Sequence, residues 1–494
     1  MILSLAMVST AAAFGERVHE ALTEAALRST VGAAQVAPAR PEEAAALLAE
    51  IDGWARGSRH AAAWTARYPE SAAFDAWAFK ELLSLNPEAS VVGLDRFDTA
   101  DTLLAALAQG SRRPDDDGRN RERRAHGPDR AALPGVPDDP ILLNMGRLGS
   151  VSSQAHAHYA LQRGEFSDDP EVLRTQPERF AVAAGWPEGP IITLAPEMAQ
   201  AHADLATLAF LAGHDGLGAC WFGAALHYAE DVGTPIHTVQ VGLYDFFKDA
   251  WFTRLGLGAR TGGGYFGELP TLASVGMNSI TNHHLLGELI TEQALLLGEE
   301  GLLDAARSDA PDMAPVTAVP DSPTAVRDSV VALIGISAPH AADTYARTRA
   351  LVDPRFREPG ASYTEAKGDP ASAIREDATP AEREAFFLEQ RDALSRAGTS
   401  VRALWRREAD QLAVARSDPE AAARLRASTM ESLVGNALAA RAEVEARRAR
   451  YLANPPVPAP SGSRMPAMLA AELVLSAGLG WGLSRFFRRP RPRN

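Results

Sequence analysis

The sequence predicts an all-α protein, and three observations carry that prediction. Alanine, leucine, glutamate and arginine dominate most of the chain at helical spacing. No long stretch alternates apolar and polar residues as a half-buried strand would. The apolar stretches are separated by glycine-, proline- and aspartate-rich segments, which read as connections. Residues 14–30 place Val18, Leu22, Ala25 and Ala26 on one face of a first helix. Residues 197–230 read as two apolar helical stretches broken near Gly213–Gly218, and residues 279–299 as another apolar helix. Residues 110–150, with their arginine–aspartate run and later prolines, read as a long exposed loop. Residues 256–267 are glycine-rich but lack a Lys-Ser/Thr pair and a preceding strand, so a mobile loop near a site is expected there, not a phosphate loop. Residues 305–325 and 353–380 are connections. Residues 380–452 are predicted to form two or three charged amphipathic helices in a solvated bundle without chemistry.

At 494 residues, 46% of them hydrophobic, the chain is long enough for two or three folded units. A net charge of −14 excludes a diffuse basic patch for duplex nucleic acid, so an anionic substrate needs a local positive source such as metal ions. The single cysteine, Cys220, excludes an intrachain disulfide and a thiolate zinc cage; its apolar neighbours mark it as a buried small hydrophobe. Residues 1–13 read as a signal peptide whose small residues Ala11 and Ala13 direct cleavage before Phe14. Residues 453–464 are a proline-rich linker. Residues 465–483 are almost wholly apolar and precede Arg485, Arg488, Arg489, Arg491 and Arg493, the pattern of one membrane span with a basic cytoplasmic end. A cleaved sorting tail and an amphipathic surface helix are the alternatives. The expected organisation is a catalytic domain over 14–350, a charged helical region over 351–452, and an anchor with a basic tail over 465–494. Such a protein is exported, periplasmic or at the cell surface, and held in the inner membrane.

Histidines are unevenly placed: eleven of the twelve lie between His19 and His284, and the last 154 residues have none. Any histidine chemistry therefore belongs to the N-terminal part. His227 and Asp231 are four apart, which puts both on one helical face. Gly233 and Pro235 end that helix, and His237 follows where the chain folds back toward the same face. His284 and Glu288 repeat the spacing on another oily helix, where a buried carboxylate needs a partner. The adjacent His283 is expected to be the exposed one. Imidazole and carboxylate are the ligands zinc accepts in the absence of thiolates. Further candidates are His19 in the first helix, Asp115 with Asp116 in the acidic run, and His126, His156 and His158.

The pattern of HxxxDxxxxxH, a later HxxxE and an N-terminal aromatic-Gly-x-x-x-His resembles the zinc-dependent phospholipase C and single-strand-specific nuclease superfamily. The likeness covers segments spread over residues 14–288. It implies an all-helical fold that holds three zinc ions. Phe14, where the family usually has tryptophan, would chelate through its own amine and carbonyl. His19, Asp115, His227, Asp231, His237, His284 and Glu288 match further ligands in order. The remaining histidine ligand is matched by His158, with His126 and His156 as alternates and Asp116 as an alternate to Asp115. The resemblance makes Asp115 the residue that bridges two metals and orients or deprotonates the attacking water. The implied activity is phosphodiester hydrolysis through a metal-bridging hydroxide, which a strong chelator would abolish. Phospholipid headgroups are the expected substrate, since a tethered enzyme meets lipid at high effective concentration. Single-stranded nucleic acid is the alternative, with Trp221, Tyr228, Tyr159, Tyr244, Phe246, Phe247 and Trp251 as stacking candidates. A zinc-stabilised surface protein without turnover is the third reading.

Overall fold

A computed structural model describes residues 16–32, 34–68, 100–125, 195–238, 269–357 and 361–453. The described residues are mostly helical and contain no strand, only two isolated bridges, Gln35 with Thr102 and Val352 with Ile374. The helices are α1 (Glu16–Leu27), α2 (Pro41–Gly57), α3 (Ala61–Arg67), α4 (Leu103–Ala125), α5 (Ala195–Leu211) and α6 (Asp215–Gly233). After a 3-10 turn at Pro235–His237 come α7 (Leu269–Leu296), α8 (Leu302–Arg307), α9 (Ala314–Thr317), α10 (Ala325–Ser337) and α11 (Ala341–Leu351). Two long helices follow, α12 (Pro380–Ser417) and α13 (Pro419–Ala453). The segments read as a signal peptide and as a membrane anchor lie outside the described residues, as does the glycine-rich segment 256–267. No described helix is long and apolar enough to cross a membrane.

Helix α6 explains the arrangement. Its sequence is apolar on every side, and every residue from Gly216 to Gly233 is buried. A helix without a polar face must be surrounded. Helices α5, α4, α12 and α10 pack around it, and Trp221, Phe222 and Tyr228 are among the largest side chains sealed in the core. The few polar residues of α6 are therefore inside the protein, where each must find a partner.

Two expectations are corrected here. Residues 110–125 belong to helix α4, not to an exposed loop, and Ser111 and Arg113 are buried. The cause is a close helix crossing. A Cβ on Gly223 would lie 2.2 Å from the Leu107 carbonyl oxygen, and one on Gly110 would lie 2.3 Å from that of Cys220. The two glycines let the α4 and α6 backbones touch, and this tertiary packing overrides the breaker signals of Gly110 and Pro114. Residues 380–453 form two helices as expected, but α12 is not a solvated rod. Phe386, Phe387, Leu394, Ala397, Val401 and Leu404 join the same core as α1 and α6. Its start is fixed by a capping box: Thr379 accepts from the Glu382 amide, and Glu382 accepts from the Thr379 amide at 2.8 Å. Cys220 is buried, as expected.

Candidate metal centre

Four elements meet at the end of α6. Helix α6 supplies His227, Glu230 and Asp231, and the 3-10 turn after its glycine–proline stop supplies His237. Helix α1 brings His19 and Thr23 across, and α7 brings His284 and Glu288. The structure sorts these residues into two triads, His19–His227–Asp231 and His237–His284–Glu288, in each of which one ligand atom per residue lies within 4.8 Å of the others.

In the first triad all three side chains are fully buried. The Asp231 carboxylate faces both imidazoles: Oδ2 is 3.2 Å from His227 Nε2, and Oδ1 is 3.5 Å from His19 Nε2. The other nitrogen of each ring is already committed. His227 Nδ1 donates to the Ser111 carbonyl at 2.7 Å, and His19 Nδ1 donates to Glu230 Oε2 at 2.7 Å. A neutral imidazole that donates from Nδ1 carries its lone pair on Nε2. Both lone pairs are thus turned toward a carboxylate that also offers only lone pairs, an arrangement that a cation between them makes favourable. Tetrahedral zinc with ligands at about 2.0–2.1 Å has ligand–ligand edges of roughly 3.3 Å, and the observed separations match.

The second triad has the same character. His237 Nε2 lies 3.1 Å from His284 Nε2 and 3.2 Å from Glu288 Oε1, and His284 Nε2 lies 2.7 Å from that same oxygen. Burial pushes His284 down to about 4 despite the opposing pull of the Asp231 carboxylate, and this burial keeps the ring neutral, the form a metal ligand needs. The two triads adjoin, since only the short turn after the end of α6 separates Asp231 of the first from His237 of the second. Their difference lies in access: the first triad is sealed, whereas the His284 side chain is 14% exposed.

Six of the sequence-predicted ligands are therefore brought together: His19, His227, Asp231, His237, His284 and Glu288. Two local expectations change. His237 joins the α7 pair and not His227 and Asp231, because the 3-10 turn carries it past the helix end. His283 is fully buried, its ring 5.9 Å from that of Tyr345, while its neighbour His284 keeps the exposed edge. Asp115 and Asp116 fall on α4 with side chains outside the described residues, and Phe14, His126, His156 and His158 lie outside them altogether. Of the stacking candidates, Trp221 and Tyr228 are fully buried core residues, and the other five lie outside the described residues. Sequence reasoning passed over Glu230, Thr23 and Ser111. A charged residue in an oily helix was the available signal for Glu230; a backbone carbonyl such as that of Ser111 leaves none.

No family model, no curated protein and no solved structure matches the chain.

Proposed function

We propose that this protein is a zinc-dependent phosphoric diester hydrolase acting on phospholipid headgroups in the manner of a phospholipase C. The observation that carries the reading is the pair of adjoining His/Asp/Glu triads with imidazole lone pairs converging on shared carboxylates. His19, His227 and Asp231 would hold one ion; His237, His284 and Glu288 would hold a second. The resemblance adds Phe14, Asp115 and His158 for a third. Zinc so held supplies Lewis acidity, acidifying water and offsetting the negative charge of a phosphoryl group. The protein's own part is to keep the imidazoles neutral and aimed. Ser111 and Glu230 fix the two rings of the sealed triad, and burial keeps His284 unprotonated. The exposed edge of His284 supports an approach of substrate from the side of the second triad. Export and tethering by residues 465–483 would set this site beside lipid.

One observation favours a second reading. Complete burial of the first triad is what a purely structural ion requires, since such a site has every coordination position filled by protein. A single experiment separates these. The full chain in detergent is assayed for bound zinc by elemental analysis, then for hydrolysis of phosphatidylcholine vesicles and of single-stranded DNA, beside His237→Ala. The expected result is bound zinc and headgroup release that His237→Ala abolishes. DNA cleavage lost in the same variant identifies a nuclease. Zinc without either activity leaves the structural reading, and a chain without zinc overturns all three.

A further inference from the structure

We infer that Glu230 is the residue that positions His19 for metal binding, an assignment that rests on reading the triads as metal sites. Glu230 is completely buried and precedes the ligand Asp231 on α6. Helix α1 takes both of its oxygens: Oε2 accepts from His19 Nδ1 at 2.7 Å, and Oε1 accepts from Thr23 Oγ1 at 2.5 Å. His19 and Thr23 are four residues apart, so one face of α1 presents both donors.

Consecutive carboxylates of α6 therefore address opposite nitrogens of one ring. Glu230 meets Nδ1, and Asp231 Oδ1 faces Nε2 at 3.5 Å. The first contact fixes the proton on Nδ1, and the second is the gap an ion would share. A carboxylate oxygen that accepts from Nδ1 leaves the lone pair of the ring on Nε2, so this contact selects the tautomer that can face an ion. A side-chain carboxyl does for His19 what the Ser111 carbonyl does for His227. Two adjacent buried carboxylates also gather negative charge where a divalent cation offsets it. Thr23 completes the clamp by denying Glu230 any other orientation. Glu230 is thus a positioning residue that acts through His19.

The test measures zinc binding in place of turnover. The full chain is stripped with chelator, and zinc is titrated back against a chromophoric competitor for wild type, Glu230→Ala, His19→Ala and the double variant. Cobalt(II) absorption reports the geometry of each site in parallel. Glu230→Ala is expected to weaken one equivalent by roughly 10–100-fold and to shift that equivalent's cobalt band. The equivalent at His237, His284 and Glu288 stays unchanged. In the His19→Ala background the same substitution has no further effect, because it acts through the missing ring. Glu230→Gln fills the same volume and still offers one acceptor, so it keeps the fold and weakens the same equivalent less than alanine does. Wild-type affinity in Glu230→Ala, equal loss at every site, or additive losses in the double variant would each overturn the assignment. A wild-type chain that takes up no zinc overturns the metal reading itself, and the assignment with it.

Discussion

Glu408 gives the sharpest stability test. It lies on α12, is 5% exposed, and accepts a hydrogen bond from Thr207 Oγ1 on α5 at 2.8 Å. Burial pushes its carboxyl from the ordinary 4.5 up to about 7, with the Thr207 hydrogen bond acting in opposition. Between these values the folded state keeps a proton that the unfolded chain has released. The associated stability is therefore fully present below pH 4.5 and is lost as pH rises through 7. The shift corresponds to about 3 kcal/mol by pH 8, at roughly 1.4 kcal/mol per pH unit. Glu408→Gln keeps the volume and an acceptor for Thr207 but cannot ionise. It should exceed wild type by about 3 kcal/mol at pH 8, and the two should converge within about 1 kcal/mol at pH 4.5. Urea denaturation at both pH values, with chelator present, measures the difference. The difference matters more than either curve. Burial holds His202 at about 4, so its share of stability is lost as pH falls from 6.5 through 4, and the opposing trends flatten the wild-type profile. Asp204, raised by its own burial and further by the Glu408 charge, acts in the same direction, and Glu408→Gln removes that repulsion, which adds to the variant's advantage at pH 8. A variant advantage of equal size at both pH values would refute the reasoning.

Two more outcomes are expected. Gly223→Ala places a Cβ 2.2 Å from the Leu107 carbonyl oxygen, a backbone contact that no rotamer change relieves. It should destabilise by about 1–3 kcal/mol and weaken zinc binding by moving Ser111 off His227, both visible in a zinc-dependent thermal melt; an unchanged melt would refute the close crossing. Arg396 is 3% exposed, and its Nε and Nη2 find no hydrogen-bond partner among the described residues. Arg396→Met should be neutral or stabilising by about 1–2 kcal/mol in urea denaturation. A clear loss would show that the charge is paired.

Periodicity made part of this site legible in advance. His227 with Asp231, and His284 with Glu288, repeat at one helical turn inside oily segments, and the structure keeps both pairs on buried helices. What sequence could not supply was register. His283 and His284 are adjacent, and which faces outward depends on how α7 rolls against α11, where Gly287 meets Thr348. The destination of His237 depended on one turn of 3-10 helix. Helix α4 was missed because Gly110, Pro114 and the aspartate run are local breakers, while the contacts that hold it helical come from α6, more than 100 residues away. Charge composition misled at α12, whose apolar residues form a continuous face despite many arginines and glutamates.

The reach of His19 has a consequence for assembly. Its bond to Glu230 closes a separation of 211 residues, whereas His237 reaches His284 and Glu288 over 47 and 51. Closing the longer loop from an open chain costs roughly 1 kcal/mol more in entropy, a small thermodynamic difference. The kinetic one is larger, because contacts distant in sequence form slowly. On a growing chain, α1 emerges before the other described helices and has no α6 partner for its polar pair until α6 has been made. His19 and Thr23 must wait in solvent, and the sealed triad is completed only when the oldest described helix is folded back onto a much younger one. On the proposed metal reading, an ion present during synthesis would meet the second triad as the more local structure and the first only as a finished interior.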